Sequence, residues 1–244
     1  MPITQTTPKT VLHRADTRGD ANHGWLDTHH TFSFAGYSNP ERMHFGVLRV
    51  LNDDVVAAGK GFGTHAHDNM EIVSIPLEGD LEHRDSMGNR EIIREADVQV
   101  MSAGRGVRHS EYNANADRPV KFLQIWMFPN ERNVMPRYDQ ISVDHVDDAW
   151  TQVLSPDPDD AGVWVHQNAW WSIGRLGAGH ALPYELHAPE TNGVYVFVLD
   201  GQVELAGEAL GPRDGLGVWD APKLEVSATS PARVLLMEVP MAVG

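Results

Sequence analysis

The sequence predicts an all-β protein organised as two domains, and three observations carry that prediction. Short apolar and β-branched runs recur along the chain. The 22 glycines and 15 prolines punctuate those runs as turns rather than bunching into linkers. Long amphipathic helical patterns are scarce, which suits a sandwich or a barrel. The strand-rich stretches before about Pro129 and after about Trp164 are similar in character, which separates two domains. Between them the proline- and aspartate-rich "SPDPDDAG" of Ser155–Gly162 reads as an exposed connection. The division falls at residues 1–136 and 137–244, two domains of ordinary size.

The elements follow in order. A short helical turn is expected over Arg14–Gly19. "EIVSIPLEG" (Glu71–Gly79) is apolar and β-prone, and Pro76 asks for an edge or a bulge because proline donates no ladder hydrogen bond. "LEHRDSMGNREII" sets the turn residues Ser86-Met87-Gly88-Asn89 between two alternating arms, as a hairpin does. "KFLQIWMF" (Lys121–Phe128) reads as a buried strand. In "VYVFVLDGQVEL" the pair Asp200-Gly201 predicts a two-residue hairpin. "KLEVSATSPARVLLMEV" supplies two closing strands.

Composition narrows the function classes. Lysine and arginine total 19 against 34 acidic residues, a net charge of −15, so the surface repels phosphate backbones and anionic lipid. Neither nucleic acid nor a membrane is expected as a partner. No apolar run approaches the roughly 20 residues of a membrane span. The N-terminal stretch lacks a basic start followed by an apolar block, so a cytoplasmic protein is expected. There is no cysteine, which removes disulfides, thiolate ligands and cysteine nucleophiles together.

Histidine carries the chemistry instead. In "GTHAHDNMEIV" His65 and His67 stand two apart, and in "GVRHSEYN" His109 and Glu111 do the same. Side chains at i and i+2 of a strand share a face. Two such strands facing across a small barrel bring three imidazoles and a carboxylate to one point. Imidazole suits Zn, Cu, Fe and Ni, and a carboxylate beside imidazoles is typical of non-haem iron. Fewer than six protein ligands leaves room for water, substrate or dioxygen.

With 13 histidines in the chain, one His-x-His pair arises easily by accident; the second pair at the same spacing, just after the glycine-rich turn Ser102–Gly106, weighs for a metal. His29, His30, His44 and His83 are set aside as hydrogen-bonded or exposed residues. Glu71 is open between a ligand, a partner orienting an imidazole and a solvated strand residue. In the second half "GVYVFVLDG" and "GLGVWDAP", taken as the corresponding strands, carry no histidine. If the halves are duplicates, only the first kept a metal site.

These residues resemble a known family. Gly59, His65-x-His67 and Glu71 look like the first cupin motif, and Gly106, His109 and Asn113 resemble the second. "GWLDTHHTFSFAGY", the long block from Phe45 to Asn89 and "VQVMSAGRGVRHSEYN" together resemble the pirin family, in its bacterial quercetinase-like branch. The resemblance is dense over Gly24–Pro136 and looser beyond. It implies a bicupin, two antiparallel cupin-type β-barrels with a metal site only in the N-terminal one. Its ligands would be His65, His67, His109 and Glu111, with Glu71 uncoordinated. Seven residues separate Glu71 from Gly79 where the cupin pattern has six, which places a bulge near Pro76.

The implied activity is that of a flavonol 2,3-dioxygenase, which cleaves quercetin with O2 to a depside and carbon monoxide. One divalent metal ion is expected, Fe(II) ahead of Cu, Ni, Mn or Zn. Glu111 is the expected general base, and Phe32 and Phe34 are the candidate wall of an aromatic pocket. A second reading comes from other pirins, which look like iron-containing, redox-sensitive regulators of a transcription factor or metabolic enzyme. A sugar-phosphate isomerase ranks last, since no lysine cluster flanks either motif. Closed barrels with few free edges suit a monomer.

Overall fold

The structure, a computed structural model, describes residues 8–243, so residues 1–7 of the stretch read for a leader lie outside it. It is all-β: its helical content among the described residues is one 3-10 turn at Ala15–Thr17, within the expected Arg14–Gly19. No helix among those residues is long and apolar enough to cross a membrane.

Two compact units form. The first gathers Arg18–Val143 and Ser155–Asn168; the second gathers the segment ending at Thr17, Asp144–Leu154 and Ala169–Val243. A contiguous cut after Pro136 does not reproduce them, because strand pairing outweighs chain order. Arg137–Ser142 ladders onto Asp97–Ser102 of the first unit, and Ser142 and Gln140 both donate to the Asp97 carboxylate. Lys9–His13 ladders onto Gly215–Trp219 of the second unit, where buried His13 Nδ1 meets the Tyr195 hydroxyl at 2.8 Å.

The first unit has two antiparallel sheets. One runs Arg137–Ser142, Asp97–Ser102, Glu71–Glu78, Val120–Met127, Leu48–Val56, Leu26–His30, Gly19–Asn22. The other runs Gly61–His67, Val107–Asn113, Leu81–Asp85, Arg90–Ile93. The second unit repeats the plan. Its larger sheet includes Lys9–His13, Gly215–Trp219, Asn192–Asp200, Ala232–Pro240, Trp170–Leu176 and Ala149–Ser155 in that order. Its smaller one is Ala181–Glu185, Lys223–Ala228, Val203–Leu205, Glu208–Leu210.

The repeat extends to details. In the first unit Lys121 faces Glu78 while Phe122 faces Pro76, so Leu77 is the extra residue of a bulge, where the sequence asked for one. In the second, Arg233 faces Asp200 while Val234 faces Val198, so Leu199 is the extra residue. Glycines end both strands, Gly79 at φ 80° and Gly201 at φ 78°, in the left-handed region that favours a residue without Cβ. That glycine also corrects one expectation. Asp200-Gly201 does not close a hairpin, because Asn192–Asp200 and Val203–Leu205 lie in different sheets of the unit. The chain crosses between sheets there, as it does at Gly79. The tight hairpin comes next, at Ala206-Gly207, with both residues at positive φ. The Ser86–Asn89 hairpin forms as expected, with the Asp85 carboxylate accepting from the Met87 and Asn89 amides.

The strand correspondence is also corrected. The counterparts of the two histidine-bearing strands are Ala181–Glu185 and Lys223–Ala228, not "GVYVFVLDG" and "GLGVWDAP". They carry no histidine either. In the second unit an aliphatic cluster of buried residues includes Val194, Val196, Val203, Leu205, Val226 and Leu236. Each such fully buried side chain contributes about 1.5–3 kcal/mol. In the first unit one apolar cluster holds Leu81, Ile93, Val120 and Phe122, and another holds Ile72, Met101 and Val107. The buried polar residues Ser74, His109, Glu111 and Gln124 stand on the same strands.

Candidate metal centre

The strand Val107–Asn113 alternates buried and exposed residues, so Val107, His109, Glu111 and Asn113 face inward. On one side His109 pairs with His65 of Gly61–His67. On the other it pairs with Asp85, and Glu111 pairs with His83. The ladder to Gly61–His67 slips between His109 and Glu111, which faces Phe62. The approach is close: a Cβ on Gly61 would lie 2.2 Å from the Glu111 carbonyl oxygen, so only glycine fits there.

This register brings His65, His67 and His109 together, one nitrogen of each within 4.8 Å of the others. Glu111 is not within that trio. It groups instead with His109 and His83, again within 4.8 Å. Its carboxylate accepts from Gln124 Nε2 at 3.0 and 2.8 Å, and Ser74 Oγ lies 3.1 Å from Oε1. Of the two phenylalanines, Phe34 borders the cavity at the histidines. Phe32 is 1% exposed in the core, because the chain bends at Thr31–Phe32 and strand alternation does not carry across it. Glu71 lies elsewhere, accepting from Ser102 Oγ at 2.7 Å and the His166 amide at 3.3 Å.

Hydrogen bonding decides what the imidazoles offer. His65 Nδ1 lies 2.9 Å from the Gly63 carbonyl, which only accepts, so Nδ1 carries the proton and Nε2 a lone pair. Asp85 Oδ2 lies 3.2 Å from His83 Nε2, which must donate to it. With that proton on Nε2, the single-proton form of His83 presents a Nδ1 lone pair to His109 Nδ1, 3.5 Å away. His109 donates there and keeps a lone pair on Nε2. That atom is 3.0 Å from His65 Nε2, so two lone pairs face each other. Buried His67 Nε2 has no hydrogen-bond partner at all.

Burial, then the neighbouring rings, push the His67 imidazole down to about 4 and that of His109 to about 3, so both are neutral at pH 7. Two nitrogens about 2.1 Å from one ion and at a right angle sit about 3 Å apart. The donors fit a divalent metal ion.

The sequence reading missed the supporting residues. His83 is 1% exposed and Asp85 stands two further along the same strand, the very alternation that marked the other pairs. Ser74 and Gln124 were legible as polar residues inside apolar runs, which are rarely buried without a purpose. In the second unit the bulges and glycines set the register, and Val196, Leu205, Leu224, Val226 and Leu236 stand where the first has Ser74, His83, His109, Glu111 and Gln124. Among the described residues, both groups of potential ligands lie in the first unit.

Beside the histidines lies a cavity of about 250 Å³, walled by Phe34, Phe62 and Trp126 and bordered by Glu111 and Gln124. Trp126 packs edge-on to His67, ring centres 4.9 Å apart.

A duplicated barrel with a cluster of histidines and a carboxylate in one copy defines a bicupin. Two family models agree: one described as Pirin matches residues 11–127, and one described as the quercetinase C-terminal cupin domain matches 152–239. The chain belongs to the pirin family. It is 43% identical over 233 residues to the quercetin 2,3-dioxygenase of Escherichia coli, covering 94% of this chain and 98% of that one. A putative quercetin 2,3-dioxygenase of Pseudomonas aeruginosa is 41% identical, over 92% and 97% of the two chains. The crystal structure of a bacterial pirin from Escherichia coli in complex with nickel(II) superposes with a TM-score of 0.90 at 42% identity, covering 96% of this chain and all of that one.

Proposed function

We propose that the first unit is a metal-dependent dioxygenase of flavonols, with one divalent metal ion on His65, His67, His109 and Glu111. The observation that carries this reading is the convergence of three imidazoles beside an aromatic cavity, with a buried carboxylate at its edge. Fe(II) is the ion we assign, since imidazoles with one carboxylate and vacant positions suit it. When bound, the metal supplies Lewis acidity that lowers the pKa of a hydroxyl placed on it.

The chain's own residues do the rest. Glu111 takes the proton of the flavonol 3-hydroxyl as general base. The Gln124 amide and the Ser74 hydroxyl fix its carboxylate at the cavity edge. Phe34, Phe62 and Trp126 exclude water and seat the fused ring. Both atoms of O2 enter the depside and one carbon leaves as carbon monoxide, so no outside reductant is consumed.

The test is quercetin consumption with carbon monoxide release in air, by protein loaded with Fe(II) or Ni(II), beside His109→Ala. Metal-dependent turnover lost in the variant is expected. Metal-loaded protein that leaves quercetin unchanged defeats the proposal and favours a redox-sensitive protein that binds a regulatory partner.

A further inference from the structure

We propose that the metal cavity opens into a second chamber, polar along one wall, that receives a hydroxylated aromatic ring gripped by Asp54, Asn52 and His30. The proposal deepens the flavonol reading of the same site and rests on it for the substrate's orientation.

The second cavity measures about 580 Å³ and shares Phe34, Asn52, Asp54 and Phe62 with the first. A ligand with a fused ring at the histidines and a pendant ring reaches both. The chamber's polar wall is built by strand pairing. Asn52 and Asp54 lie two apart on Leu48–Val56, Thr28 and His30 two apart on Leu26–His30, and the register sets Thr28 against Asp54 and His30 against Asn52. All four are 3–4% exposed. These four polar side chains line a cavity from one inner face, where a face built only for packing would hold aliphatic residues. In the second unit the register positions of Asn52 and Asp54 hold Ser172 and Gly174.

The wall suits phenolic hydroxyls. Thr28 Oγ1 donates to Asp54 Oδ1. His30 Nδ1 and Asn52 Oδ1 are 2.9 Å apart, so His30 donates and its Nε2 is left as an acceptor. Burial first, then the charges of Glu111 and Asp53, raise the Asp54 carboxyl to about 7, where it both donates and accepts. Burial holds His30 below the usual imidazole range, hence neutral.

The experiment measures binding by quenching of tryptophan fluorescence in metal-loaded protein, using quercetin and galangin, which lacks both pendant-ring hydroxyls. The wild type should prefer quercetin by about tenfold or more, because a site built to hydrogen-bond a hydroxyl rejects the analogue without it. In Asp54→Ala and in the shape-preserving Asp54→Asn the preference should shrink, in Asp54→Ala to about twofold. Metal stoichiometry and circular dichroism confirm that each variant is folded. Equal affinity for the two flavonols in the wild type, no binding of either, or an unchanged preference in both variants overturns the chamber. Turnover of the two flavonols is followed in parallel, so the readings separate. A quercetin preference without turnover keeps the chamber and retires the dioxygenase, while turnover of both without preference does the reverse.

Discussion

Substituting Asp85→Asn perturbs the hydrogen-bond relay behind His109 without removing a proposed ligand. Asp85 Oδ1 accepts from the Met87 and Asn89 amides at 2.8 and 3.1 Å, and Oδ2 from Asn89 Nδ2 at 2.8 Å and His83 Nε2 at 3.2 Å. Although burial alone raises the Asp85 carboxyl, the bonds from Asn89 and His83 hold it below the usual range. In the variant the two backbone amides keep the asparagine oxygen at the Oδ1 position. Its NH2 then faces Asn89 Nδ2 and His83 Nε2, donor against donor at both. Relief moves the His83 proton to Nδ1, which donates to His109 Nδ1, and the His109 proton ends on Nε2. That is the atom a metal needs.

Disrupting such an outer hydrogen bond lowers metal affinity about 10–100-fold, or about 1.4–2.7 kcal/mol. Isothermal titration of Ni(II) into apo protein measures it directly, with thermal melts reporting the fold. Folded Asp85→Asn that binds within about twofold of wild type would refute the tautomer argument.

Other substitutions test other links. Glu111→Gln keeps the shape but cannot accept a proton, so kcat for quercetin should fall about 10²–10⁴-fold in a steady-state oxygen-uptake assay. Glu71 is raised from 4.5 to about 7, chiefly by burial. The folded state therefore binds the extra proton between those values, and stability falls as pH rises from about 4.5 to 7, by on the order of 3 kcal/mol. Glu71→Gln should flatten the melting temperature across that window, and a slope equal to wild type would exclude Glu71 as its source. Tyr195→Phe removes the hydroxyl 2.8 Å from buried His13 Nδ1 and should cost about 1–3 kcal/mol in urea denaturation.

Much of the protein was legible one residue at a time. Strand alternation set His65 beside His67 and His109 beside Glu111, and Pro76 announced a bulge whose extra residue is Leu77. These signals are local, because a strand's two faces are fixed by its own backbone. Pairing between strands distant in sequence is not local, and it decided the rest. Register placed His83 and Asp85 behind His109, put Gln124 on the Glu111 carboxylate, and aligned Thr28 and His30 with Asp54 and Asn52. The same long-range pairing carried Lys9–His13 into the second unit and Arg137–Ser142 into the first, and separated the two arms of Asp200-Gly201 into different sheets. The sequence by itself determined which side chains share a face. The tertiary structure decided which faces meet, because register is fixed by burying matched faces of strands that lie far apart along the chain.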